Sequence, residues 1–333
     1  MHRDQKYYQL ADYIRKNKKF VLISHVHTDG DALGSMIAFY YYLVQNDKKC
    51  AIVVPGRIPP KYEFLNTSGL VNRSTDSETK RFIADADVIV IFDISSMDRL
   101  EQWYEPVKSS QAYKVCMDHH PLYPEFTDLD IIDDTCVATG ELVFQFLEKV
   151  KADISFEMAE ALYTAILSDS GSFRFQQTSK ETFRIASRLT ELGVDPAQMY
   201  SRVFEKNHRH QLKAWGNLLI NLKSEDEISW LVVSREFMRE HNLRAEDLEG
   251  IIDIMRKDGG SSVFAVFTEK EENLTLVGLR SKNSINVGRI AREFGGGGHF
   301  HAAGFSSSGR LEQVVGETLD RIRSYMMRLG DVA

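Results

Sequence analysis

The chain has 333 residues, 43% of them hydrophobic and 27% charged, with a formal net charge of −7. That length accommodates two domains with separate cores, and that composition excludes the disordered and fibrous classes. The acidity argues against sequence-independent binding of long duplex nucleic acid, which draws most of its affinity from a basic face, but leaves room for a small anionic substrate held by a local cationic site or by bound metal ions.

The opening MHRDQKYYQLADYIRKNKK carries charges throughout and lacks the apolar core of a secretory signal. No later segment reaches membrane-spanning apolar length, so a cytoplasmic location without membrane association is expected. Cys50, Cys116 and Cys136 are an odd count with no C-x-x-C pair, and they read as reduced thiols, neither disulfides nor zinc ligands.

The first strand, FVLIS, runs straight into SHVHTDGDALGS, which places His25, His27, Asp29 and Asp31 within seven positions. An ordinary solvated loop is the plain alternative. The stretch ALGSMIAFYYYLV follows at once as a helix buried on more than one side, so the loop is pinned between two buried elements at the carboxyl end of a strand, where open α/β sheets place their ligands. His25, Asp29 and Asp31 could converge there on Mn, Zn, Fe or Mg, since imidazole and carboxylate suit these ions without a thiolate.

Further strands follow at CAIVV, DVIVIFD and YKVCMD, then helices at GELVFQFLEKV and FEMAEALYTAILSD. Near-continuous Val/Ile runs alternating with helices predict an α/β domain, a parallel sheet with helices on both faces. After a helix near RHQLKAWGNLLINLKS the pattern changes. Strands ISWLVVS, SVFAVFTEK and LTLVGLRS, the last two joined by the charged turn EEN, accompany helices near DLEGIIDIMRKDGG and VGRIAREF, which predicts a smaller C-terminal α+β domain. The expected boundaries are residues 1–190, a helical linker over 191–225, and 226–333.

Other elements also end in His or Asp: DVIVIF in Asp93, YKVCM in Asp118, His119 and His120, and AEALYTAIL in Ser168 and Asp169. Each alone has a bland explanation as a cap or turn residue. Together at one sheet edge they are harder to explain so, because clustered carboxylates repel unless cations neutralise them. Later, FGGGGHFHAAGF leaves no side chains from Gly295 to Gly298, so backbone can approach a ligand and turn N–H groups toward an anion, although a bare glycine run is more often a flexible loop.

The series H-x-x-x-D-x-D, a lone Asp after a strand, D-H-H, a later Asp and G-G-G-G-H-x-x-A-A-G, spanning Ser24 to Gly304, resembles the DHH/DHHA1 phosphoesterases. Within that family the two-domain layout is similar to bacterial oligoribonucleases of the nanoRNase A type, which also dephosphorylate 3′-phosphoadenosine 5′-phosphate. The resemblance implies a DHH domain holding two divalent cations, Mn2+ with Mg2+ or Co2+ as alternatives. His25, Asp29 and Asp93 would hold the first, and Asp31, Asp93, His119 and Asp169 the second. Two cations about 3.5–4 Å apart can share a hydroxide and clamp a phosphate during in-line attack.

The resemblance further implies catalytic roles for His120, contacting the scissile phosphate or protonating the leaving oxygen, and for Asp118, holding a ligand imidazole. A DHHA1 domain would capture substrate across an interdomain cleft through Arg280, Gly296, Gly297, Gly298 and His299; a surface salt bridge is the other reading of Arg280. His27 and His301 receive no role. The implied activity is hydrolysis of very short single-stranded RNA, including pApA, to nucleoside 5′-monophosphates, with 3′-phosphoadenosine 5′-phosphate as a further substrate. A phosphodiesterase for cyclic dinucleotides or pApA, a phosphatase for 3′-phosphoadenosine 5′-phosphate alone, and a non-catalytic nucleotide sensor are the alternatives. No long duplex partner is expected, and a homodimer is left open.

Overall fold

The structure is a computed structural model that describes residues 3–71, 76–94, 96–120, 126–298 and 300–330. The chain divides into two units, Met1–Lys206 and Asn207–Ala333. No helix among the described residues is long and apolar enough to cross a membrane.

The first unit is built on five strands, β1 (Lys19–Ile23), β2 (Lys49–Val53), β3 (Val88–Phe92), β4 (Tyr113–Asp118) and β5 (Leu129–Ile132). They lie in the order β2-β1-β3-β4-β5, every neighbouring pair parallel. A parallel sheet covered on both faces needs apolar residues at consecutive positions, and VIVIF in β3 meets that need with every residue buried. The pleat then divides the run between two cores. Val88, Val90 and Phe92 join the helices Arg3–Lys16, Gly30–Gln45, Thr139–Lys149, Phe156–Asp169 and Lys180–Glu191 on one face. Ile89 and Ile91 join Ile83, Leu100, Trp103 and Val107 on the other. Because all five strands run the same way, the residues that leave β1, β3 and β4 emerge at one edge.

The second unit carries a mixed six-stranded sheet, ordered β10-β11-β9-β8-β7-β6. Its strands are β6 (Lys223–Glu225), β7 (Ile228–Val233), β8 (Val263–Glu271), β9 (Leu274–Ser281), β10 (Gly297–Gly298) and β11 (Ala302–Ser308). β7 and β8 are parallel and the other pairs antiparallel. The β8–β9 turn falls at the expected Glu-Glu-Asn, with Asn273 at φ 61°, a left-handed conformation that asparagine tolerates. One core packs Val263, Ala265, Phe267, Val277 and Leu279 against Ile290 and Ile322, and a second packs Phe264 and Val266 against Trp215 and Met255.

Candidate metal centre

His25 leaves β1 buried, at 3% exposure, and Asp29 opens the helix Gly30–Gln45 as its N-cap, accepting from the N–H groups of Asp31 and Ala32. Capping fixes where the first turn begins, and so where Asp31 points. Asp31 is fully buried and accepts from Thr139 N at 2.6 Å, Gly140 N at 2.9 Å and Ser35 Oγ at 3.1 Å. The amino end of the helix Thr139–Lys149 therefore cradles a carboxylate more than a hundred residues away, a device with no signal in the local sequence.

Asp93 follows β3 at φ 50°, a region that side-chain-bearing residues use sparsely and that concentrates at functional sites. Its oxygens lie 3.5 Å from Nε2 of His25, 3.6 Å from Nε2 of His119 and 3.4 Å from Nδ1 of His120. His119 Nε2 is also 3.7 Å from Asp31 and 3.3 Å from Asp169, the last residue of the helix Phe156–Asp169. Nδ1 of His119 lies 3.2 Å from the Cys136 carbonyl, which can only accept, so the ring proton belongs on Nδ1 and the lone pair of Nε2 faces three carboxylates.

Such a donor set suits a divalent cation. His25, Asp29 and Asp93 form one group, Asp31, His119 and Asp169 a second, and Asp93, His119 and His120 a third, with the donor atoms of each within 4.8 Å of one another. Crowding also shifts the protonation of these carboxyl groups. Burial and the charges of Asp93 and neighbouring carboxylates push Asp31 well above the usual range, and burial with Asp29 and Asp93 does the same to Asp169. Burial would raise Asp93 too, but the hydrogen bond from His25 and the charges of the three imidazoles carry it below the ordinary value.

Asp118 ends β4 with no exposure, accepting from Ile94 N at 2.8 Å, His120 N at 2.9 Å and His120 Nδ1 at 2.8 Å. The imidazole it grips thus belongs to His120, outside the two expected ligand sets. Burial opposes the charged form of His120, but the bond to Asp118 and the surrounding carboxylates overcome it and raise its pKa to about 9. His27 is exposed, in keeping with a loop residue outside the cluster.

In the second unit, Arg280 lies on β9 opposite Ala302 of β11, with Nη1 donating to the Leu279 carbonyl at 3.0 Å. In the glycine run, strand packing alone already requires two of the glycines. A Cβ on Gly296 would stand 2.3 Å from the Gly304 carbonyl, and one on Gly298 would stand 2.4 Å from that of Ala302. Strand packing against β11 accounts for both glycines. The Gly296 N–H is also committed to the Ala291 carbonyl at 2.9 Å, so it is not turned toward an anion. Gly297, paired with Gly304, has open space where its side chain would be. His299 lies outside the described residues.

Sequence reasoning missed Arg99, whose Nη2 is 3.1 Å from Nδ1 of His25, along with the Thr139–Gly140 cradle and the Cys136 carbonyl.

Residues 19–166 match the N-terminal domain of the DHH family, and residues 228–328 match the DHHA1 domain. The bifunctional oligoribonuclease and PAP phosphatase NrnA of Thermus thermophilus is 28% identical over 310 residues, covering 93% of this chain and 90% of that protein. A membrane protein–large ribosomal subunit bL9 fusion protein of Aster yellows witches'-broom phytoplasma is also 28% identical, over 93% of this chain, which spans 37% of that longer protein. Among solved structures, an exopolyphosphatase-related protein from Bacteroides fragilis superposes with a TM-score of 0.92 at 26% identity, covering 98% of each chain.

Proposed function

Because the chain belongs to the DHH/DHHA1 family of phosphoester hydrolases, we propose that it is a metal-dependent oligoribonuclease that degrades very short RNA, pApA included, to nucleoside 5′-monophosphates and also dephosphorylates 3′-phosphoadenosine 5′-phosphate. The observation that carries the metal chemistry is the fusion of two donor groups, His25–Asp29–Asp93 and Asp31–His119–Asp169, within reach of the one carboxylate of Asp93. The Thermus relative's name supports the substrate class.

In this reading His25, Asp29 and Asp93 hold one divalent cation, with Mn2+ the expected metal, and Asp31, Asp93, His119 and Asp169 hold the other. When bound, the cations neutralise the carboxylates, acidify a water and stabilise charge on the phosphate. The residues of the chain do the rest. Asp118 accepts from Nδ1 of His120 and aims the ring from beside Asp93, where it can deliver a proton to the leaving oxygen. Thr139 and Gly140 stop Asp31 from turning away. The division of labour is part of the proposal: the first unit does the chemistry, and the second, through Arg280, holds the terminal phosphate of the substrate.

The test is a substrate panel with Mn2+-reconstituted protein: pApA, longer oligoribonucleotides, 3′-phosphoadenosine 5′-phosphate and pyrophosphate. The reading expects 5′-monophosphate from pApA, turnover that declines with length, and no pyrophosphate cleavage. Preference for long strands or for pyrophosphate contradicts it.

A further inference from the structure

Glu141, in the first turn of the helix Thr139–Lys149, is only 2% exposed. Burying a carboxyl group is costly unless hydrogen bonds offset the loss of water. Oε2 of Glu141 accepts from the Val137 N–H at 3.3 Å, and the Cys136 thiol and the Thr182 hydroxyl lie beside the same carboxyl. The helix has an alanine, Ala138, at its N-cap, a residue with no side chain to cap it. Its leading N–H groups go to Asp31 instead, Thr139 N to Oδ2 and Gly140 N to Oδ1, while the Thr139 hydroxyl reaches Asp93 at 3.4 Å.

The Val137 N–H that Glu141 holds belongs to the same peptide group as the Cys136 carbonyl, and that carbonyl meets Nδ1 of His119 at 3.2 Å. A peptide group is planar, so its N–H and its C=O cannot turn independently. Fixing the N–H on Glu141 therefore fixes the direction from which the carbonyl meets the imidazole. The turn from Cys136 to Gly140 acts as a bracket that touches Asp31, Asp93 and His119 at once. Glu141 fastens the upstream end of that bracket to the helix that follows it.

Resting on the metal-centre reading above, we propose that Glu141 is a positioning residue for one of the two cations, the one assigned to Asp31, Asp93, His119 and Asp169, and that it acts through the Cys136–Val137 peptide. Without an acceptor for Val137 the peptide can rotate, and the imidazole and carboxylate that the bracket holds lose the fixed separation a cation needs. The role calls for an acceptor at the right reach, not for a charge. His25 and Asp29 are carried differently, one leaving β1 and the other capping the helix Gly30–Gln45, so the second cation should be affected little.

Two variants separate reach from charge. Glu141→Gln keeps an acceptor at the same distance, whereas Glu141→Asp keeps the charge and draws the acceptor back by one methylene. MnCl2 is titrated calorimetrically into the metal-stripped full-length proteins. Wild type and Glu141→Gln are expected to bind both ions with similar affinity. Glu141→Asp is expected to bind one of the two more weakly, by on the order of tenfold, as loss of an outer partner of a metal site does. Its pApA turnover should accordingly need more Mn2+ for the half-maximal rate and recover as Mn2+ is raised, which a general loosening of the fold would not allow. Wild-type Mn2+ binding by Glu141→Asp, equal weakening of both ions, weakening in Glu141→Gln instead, or a Glu141→Asp protein that fails to fold overturns the proposal. A wild-type protein that binds no Mn2+ overturns the metal-centre reading itself, and with it this one.

Discussion

The carboxylate of Asp118 holds His120 by two hydrogen bonds, 2.9 Å from the backbone N–H and 2.8 Å from Nδ1. A third bond, from Ile94 N, ties the same carboxylate to the segment that carries Asp93. Asp118→Asn retains the shape but removes the charge that favours the protonated form of His120. It should lower kcat by about 100-fold or more, the typical contribution of a positioned general acid. Metal analysis should show Mn2+ loading retained. Loss of metal in parallel with activity would place Asp118 among the residues that secure the ions.

Crowded carboxylates predict how stability responds to metal. Asp31 and Asp169 are raised by burial and mutual repulsion, a cost that a bound cation relieves in the folded state alone. The Tm of the stripped protein should therefore climb with Mn2+ concentration and return on chelation. A Tm indifferent to Mn2+ would count against binding at this cluster.

A second pH-linked contact lies away from the cluster. Asp87 accepts from the N–H groups of Lys18 and Lys19 at 2.9 and 2.8 Å, and these bonds hold its carboxyl below the ordinary value of 3.8. A folded-state pKa below the unfolded one gives stability that is complete above the unfolded value and lost as pH falls through the folded one. Since Asp87 is exposed, Asp87→Asn should cost only about 0.5–1 kcal/mol at neutral pH, and the difference from wild type should shrink in acid. Denaturant titrations at pH 7 and below 4 check this.

Arg280 tests the second unit apart from the chemistry. Arg280→Ala should leave Mn2+ content intact and reduce kcat/KM on pApA by on the order of tenfold. Bis-p-nitrophenyl phosphate, which has no nucleotide end to hold, should be affected far less. Equal losses on both esters would mean that Arg280 shapes the metal site.

The sheet edge was legible because FVLI, VIVIF and YKVCM are apolar runs that end abruptly in His or Asp, and parallel strands bring such ends together. Less could be read where an element is short or its partner distant. β5 has only LDII between polar residues, and the helix Arg3–Lys16 hides Tyr7, Leu10 and Ile14 among charges. The contacts that orient the site, Thr139 and Gly140 on Asp31, Cys136 on His119 and Arg99 on His25, join segments far apart in sequence, and local patterning carries no trace of them. The packing demand at Gly296 and Gly298 was likewise not legible, because a glycine required by strand packing looks the same in sequence as one required by a ligand.

The central claim is that Asp93 joins two cation sites on which hydrolysis depends. The most direct measurement is pApA turnover and bound Mn2+, followed together in wild type, Asp93→Ala and His27→Ala, before and after exhaustive chelation. The account predicts that chelation abolishes turnover and Mn2+ restores it, that Asp93→Ala is inactive with depleted metal, and that His27→Ala stays close to wild type. Turnover that survives chelation, or Asp93→Ala protein fully loaded with metal, would contradict it.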